Sequence, residues 1–157
     1  MSGPGAGGRL RWVGAAMAAT IVLVTDQIVK RQVREHIAFG ETIHVMPGLD
    51  FVHTTNRGIA FSQFPGHQRI VASLTAIALC VIAVALVRFG RRSAAVLIGG
   101  GMLVGGAIGN LIDRLSHDGV TDFIAVTSHW PPFNVADIGI VCGAIIAGIG
   151  LMGERTD

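Results

Sequence analysis

The chain has 157 residues, 51% of them hydrophobic and only 14% charged, with a formal net charge of +2. An ordinary soluble domain carries roughly 25% charged residues, so this chain lacks the charge to coat a water-facing surface of its size. The same figures exclude intrinsic disorder, and the absence of any basic run speaks against a nucleic-acid partner. The composition is that of an α-helical integral membrane protein with a single membrane domain over residues 1–157.

A bilayer core about 30 Å thick takes about 20 mostly apolar residues per helix. After a Gly-rich tail, Met1–Gly8, the first span is expected over 12–29. Arg9, Arg11 and the apolar Val13–Val24 have the look of a signal peptide, but Thr25-Asp26-Gln27 follows with no small-x-small cleavage site, so this is a retained anchor. In the long loop 30–69, Thr42–Val45 and Leu49–Thr55 are rich in β-branched and aromatic residues and are parted by Pro47-Gly48, which predicts a hairpin outside the membrane. Spans at 70–87 and 93–112 follow, joined by the tight turn Phe89–Arg92. A second long loop, 113–134, ends in Trp130-Pro131-Pro132-Phe133, an aromatic interface anchor on a rigid stretch, and leads into the last span, 135–152. Cys80 and Cys142 lie in apolar runs and read as small buried hydrophobes.

Four spans put both termini on one side. Arg9, Arg11, Arg88, Arg91, Arg92 and Arg155 crowd the span ends there, whereas the basic residues of the other side are spread along longer loops. That density predicts cytoplasmic termini. Asp26, Asn56, Asn110, Asp113, Arg114, Asp122, Asn134 and Asp137 then gather at the outer face, with all six His.

Acids at membrane depth are costly and mark function. Asp122 and Asp137, each in apolar company, are the leading pair. Two carboxylates forced together in a low-dielectric site cannot both ionise, so one keeps a proton. Such a pair supplies a general base for water and a general acid for a peptide with no metal. The same two residues could instead cap helices or face solvent. Asn134 could orient a carboxylate, bond a substrate backbone or cap the last span. Asn110, Asp113 and Arg114 share a helical face, where an Asp–Arg pair would serve as scaffolding. Asp26 and Lys30, at i and i+4, form a further pair whose Lys could snorkel outward to lipid phosphate. Gly101, Gly105 and Gly109, echoed by Gly139 and Gly143, have the spacing that lets helices approach closely, and are expected to draw spans three and four together. No His-Glu-x-x-His motif occurs, and no Ser neighbours Lys30, the sole Lys, so neither a metal nor a Ser–Lys nucleophile is expected. A non-enzymatic alternative stays open: a small transporter or assembly subunit whose acids relay protons.

Taken in order, Asp26-Gln27-x-x-Lys30, Asn56-x-Gly58-x-Ala60-Phe61, Gly105-Gly106-Ala107-x-Gly109-Asn110-x-x-Asp113-Arg114, Val120-x-Asp122-Phe123 and Phe133-Asn134-x-Ala136-Asp137 resemble the motifs of the lipoprotein signal peptidases, the bacterial signal peptidase II family of intramembrane aspartic peptidases. The blocks span nearly the whole chain. The resemblance implies four transmembrane helices with a small extracytoplasmic β-cradle and a short interfacial helix. It implies that Asp122 and Asp137 are catalytic, and that Asn56, Asn110, Arg114, Asn134, Asp26, Lys30 and Asp113 support the site or the substrate. It further implies a diacylglyceryl-modified prolipoprotein substrate cut just before the lipidated Cys, contact with membrane lipid, inhibition by globomycin-type peptides, no cofactor, and a place in the bacterial cytoplasmic (inner) membrane. Thr121 departs from the pattern, standing where an apolar residue is common.

Overall fold

The computed structural model describes residues 6–58, 68–90, 93–117, 119–126 and 130–153. The Ala60-Phe61 end of the Asn56 block, Arg91, Arg92, Arg155, His67 and His129 lie outside the described residues. In chain order the elements are α1 (Ala6–His36), β1 (Thr42–Met46), β2 (Leu49–Asn56), α2 (Gln68–Phe89), α3 (Ala94–Ser116), β3 (Val120–Ala125) and α4 (Val135–Met152). All four helices are long and apolar enough to cross a membrane. A short interfacial helix has no counterpart among the described residues.

The helix ends follow local chemistry. The Ser93 hydroxyl accepts from the Ala95 amide to start α3, and Asn134 starts α4 with a reciprocal capping box to Asp137. The α4 bounds coincide with those expected. Helix α1 runs further than its apolar stretch suggests, because Ala15, Val22, Asp26, Lys30 and Val33 form one buried stripe at helical spacing that continues to its last turns. Residues 30–36 are therefore helix, and the loop begins after His36. Asp113 and Arg114 likewise belong to the last turn of α3, which reaches Ser116.

Helix α3 is the central member and packs against α4, α1 and α2. Half of its span is buried, against 11% of α2, whose Leu74, Ile77, Val81 and Val84 point outward as a membrane-facing helix requires. Cys80 is exposed on the lipid-facing side of α2 and Cys142 of α4 is half-buried; both are free thiols. The expectation that both are buried fails because little of α2 is covered by its neighbours and Cys142 borders the cavity. The glycine row meets expectation only in part. Gly101 and Gly105 lie against the backbone of α1 at Ala15 and Ala19, while the approach of α3 to α4 is made by Gly99 and Gly106 facing Gly143 and Ala136. Gly139 turns toward Val22 of α1. The four-residue repeat thus joins span three to span one; adjacent faces of the same helix serve span four. At Gly109 a Cβ would stand 2.7 Å from Asp26 Oδ2, so the missing side chain is where the Asp26 carboxylate fits.

The three strands form an antiparallel sheet in the order β1-β2-β3. The β1–β2 hairpin turns at Gly48, whose φ of 84° suits glycine. Strand β3 was not expected, since 113–134 reads as a loop. Its partner β2 lies far away in sequence, with Thr54 opposite Asp122 and Asn56 opposite Val120. Its edge beyond that is closed by Phe133, whose N–H and carbonyl bond Ile124. Val120 through Phe123 are buried.

Candidate active site

Asp122 on β3 and Asp137 in the first turn of α4 border one cavity of about 700 Å³, lined also by Asn56, Asn110, Arg114 and Phe133. Asn134 joins the two acids. Its Nδ2 donates to Asp122 Oδ1 at 2.6 Å, its backbone N–H donates to Asp137 Oδ2 at 3.3 Å, and its Oδ1 accepts the Asp137 N–H at 2.9 Å. Of the three roles open for Asn134, helix cap and carboxylate anchor are therefore performed together by one fully buried side chain. Burial pushes the Asp122 carboxyl up to about 7, the negative charge of Asp137 adds to the rise, and the hydrogen bond from Asn134, together with the nearby Asn56 amide, opposes it.

A second layer sets these positions. Lys30 is fully buried, so it does not snorkel to lipid. Its ammonium lies 2.8 Å from Asp26 Oδ2, 2.9 Å from Asn110 Oδ1 and 3.4 Å from Asp113 Oδ2, which uses all three of its donors. Each contact leads to a part of the site. Asp26 Oδ1 accepts the Ala136 N–H at 2.9 Å, satisfying an otherwise orphaned amide in the first turn of α4. Lys30 bonding the Asn110 oxygen turns the Asn110 NH₂ toward Asp137, where it donates to Oδ1 at 2.8 Å. Asp113 Oδ2 accepts the Thr121 N–H at 2.9 Å, one residue before Asp122.

Asp113 and Arg114 do not pair with each other. Arg114 donates to the carbonyls of Asn110 at 3.1 Å and Gly58 at 3.3 Å, tying the chain after β2 to α3, and its Nε is buried beside the cavity without a partner. Consecutive residues on a helix point about 100° apart, which is why neighbours in sequence here serve different partners.

Three contributors escaped the sequence reading. Gln27 donates to Asp26, to the Gly109 carbonyl and to Asp113. Arg34 reaches Thr121 and Asp113, and Thr121 accepts from Arg34 through its hydroxyl while donating its N–H to Asp113. Arg34 stands one turn past Lys30 on the same stripe; continuing the helix beyond residue 29 would have found it. Among the described residues, no group of three or more His, Cys, Asp or Glu is arranged to hold a metal ion. His44 pairs with Asp50 at 2.7 Å on the outside of the hairpin, away from the carboxylate pair.

The family profile described as Signal peptidase (SPase) II matches residues 18–152. The chain is 37% identical over 144 residues to a lipoprotein signal peptidase of Tolumonas auensis, covering 87% of this chain and 86% of the relative. It is 36% identical over 152 residues to that of Solibacter usitatus, covering 91% and 92%. The fold is similar to that of a bacterial membrane enzyme solved by the in meso method at 2.3 Å, with a TM-score of 0.83, 25% identity, and 90% and 89% of the two chains covered. A second such enzyme, at 1.9 Å, gives a TM-score of 0.79 and 26% identity over 87% and 91%. Over most of its length and throughout its fold, then, the chain belongs to the signal peptidase II family and is a membrane peptidase.

Proposed function

We propose that this chain is the aspartic endopeptidase that removes signal peptides from diacylglyceryl-modified prolipoproteins, cutting just before the lipidated Cys, with Asp122 and Asp137 sharing one catalytic proton. The observation that carries the reading is one buried residue, Asn134, donating to both acids, from its side-chain amide to Asp122 and from its backbone N–H to Asp137, with both acids lining one cavity. Water placed between the carboxyls gives a proton to the ionised one as its oxygen attacks the peptide carbonyl carbon. The protonated carboxyl donates to the carbonyl oxygen, producing a gem-diol. Collapse of the diol breaks the C–N bond as the nitrogen takes a proton from the acid that removed one from water, and the carbonyl of the new carboxyl group re-forms as a diol proton returns to the other. The pair titrates as a unit.

Asn56, Asn110 and Arg114 line the space that a peptide would occupy, Asn134 and Lys30 hold Asp122 and Asn110 from behind, and Asp26 and Asp113 hold the backbone next to the two acids at Ala136 and Thr121. The apolar part of the wall, with Ile138, Ile140 and Val141 of α4, suits the acyl chains of a lipidated substrate or membrane lipid. Binding those chains would fix the scissile bond at the depth of the acids before chemistry begins. Globomycin-type peptides would compete for the same space. The Arg density near one set of span ends supports cytoplasmic termini in a bacterial inner membrane and a site near the outer face.

The direct test is cleavage by the purified protein in detergent. A precursor with a diacylglyceryl Cys is expected to be cut just before that Cys, and its unlipidated counterpart to survive. Intact lipidated precursor would overturn the proposal, and because detergent supports no ion gradient, cleavage there also rejects a proton-relay transporter.

The pH profile supplies a second expected outcome. The Asp122 carboxyl is raised to about 7, so the pair keeps its proton below that pH and loses it above. Losing it removes the general acid, so kcat/KM should fall on the alkaline side with an apparent pKa near 7. Rates measured from pH 5 to 9 at subsaturating precursor, with folding checked at each pH, decide this; a flat profile through that range contradicts the shared proton.

A further inference from the structure

Arg34 touches neither catalytic acid, yet it reaches the strand that carries one. We propose that Arg34 and Thr121 form a latch that sets the position of Asp122 relative to Asp137, an inference that rests on the peptidase reading above.

The sheet meets the helical bundle chiefly through β3. Successive residues of a strand face opposite ways, so Thr121 turns to the helices while Asp122 turns to the cavity. Thr121 is held twice. Its hydroxyl accepts from Arg34 Nη1 of α1 at 2.9 Å, and its N–H donates to Asp113 Oδ2 of α3 at 2.9 Å. Arg34 Nη1 also lies 3.6 Å from Asp113 Oδ1, so guanidinium, carboxylate and threonine close a ring around the residue preceding Asp122.

The ladder alone does not provide this control. Register between β2 and β3 shifts between Phe51 and Thr54, and Thr54 is the partner of Asp122. Such bulges interrupt regular pairing and re-aim nearby side chains. With the ladder irregular beside Asp122, the tether at Thr121 decides how far the carboxyl extends toward its partner. Thr121 is 3% exposed, so its hydroxyl needs a partner inside the protein, and Arg34 provides it. An apolar residue here could pack but could not take the Arg34 bond. Arg34 and Thr121 are therefore positioning residues acting through the placement of Asp122.

The experiment compares the parent enzyme with Arg34→Met, Thr121→Val, the double variant and Thr121→Ser on a lipidated precursor. Misplacing a reacting group by about 1 Å can cost on the order of a hundredfold in rate, so kcat should fall roughly tenfold or more in each single variant while KM stays at the parent value. The double variant should be no slower than the worse single one, since both remove the same bond. Thr121→Ser, which keeps the hydroxyl, should restore most of the rate. A parent-like kcat in Thr121→Val overturns the latch, as do effects that multiply in the double variant or a loss carried by KM. A parent that leaves the lipidated precursor uncut overturns the peptidase reading and the latch with it, so the two failures are told apart by the parent alone.

Discussion

Asp122→Asn and Asp137→Asn should each lower kcat for a lipidated precursor by about 10³-fold or more while the protein still inserts and folds. In the proposed two-acid mechanism, either change removes a group that accepts or delivers a proton and leaves its volume in place. The two are not equivalent in stability. Asp122 can keep the Asn134 bond through the remaining amide oxygen. Asp137 uses both oxygens, one for the Asn110 amide and one for the Asn134 N–H, so an Asn there loses one acceptor at a buried helix start. Its unfolding free energy should drop by about 1 kcal/mol more. Single-turnover cleavage together with thermal unfolding in detergent separates the two effects. Appreciable processing by either variant would falsify the two-acid mechanism.

The second large effect is structural. Lys30→Met should destabilise the protein by about 3–5 kcal/mol, enough to deplete folded material in detergent. The substitution fills a similar volume but leaves Asp26 and Asp113 buried, with their shared cation gone. It also frees the Asn110 amide to turn, which releases Asp137. Asp26→Asn should cost less, because an amide oxygen can still accept the Ala136 N–H and Lys30 keeps Asp113. The order of the thermal midpoints, parent above Asp26→Asn above Lys30→Met, is the measurable result. Equal midpoints for parent and Lys30→Met would mean that the cluster holds nothing in place.

The features legible in the residues are those with a local cause. Apolar runs located the four spans, and for α4 the bounds agree, because its start is set by the Asn134 cap and the prolines before it. The hairpin was visible in Pro47-Gly48 and its flanks. What escaped depends on partners distant in sequence. Strand β3 exists because β2 and Phe133 close its two edges, and nothing within residues 120–125 announces either neighbour. The extension of α1 to His36 escaped because charged residues end an apolar run without ending a helix. Lys30 and Arg34 are kept there by Asp113, far along the chain. The glycine spacing correctly signalled close helix approach, but spacing carries no information on which neighbour occupies the face, and that neighbour was α1. The candidate acids were legible as types and contexts. Their mutual placement through Asn134, and the Lys30 contacts behind it, required the fold.

The Asp26–Lys30 ion pair lies within one helix, one turn apart. During biogenesis α1 can therefore enter the bilayer already neutralised, before α3 is made, and avoid much of the roughly 2.5–3.5 kcal/mol that an isolated charge costs at a span's centre. Asp113 has no such companion on α3 and meets its cations only when the two helices associate. Capture of the third span by the first is thus rewarded electrostatically at the moment of assembly, and the peptidase centre cannot form in a half-inserted intermediate.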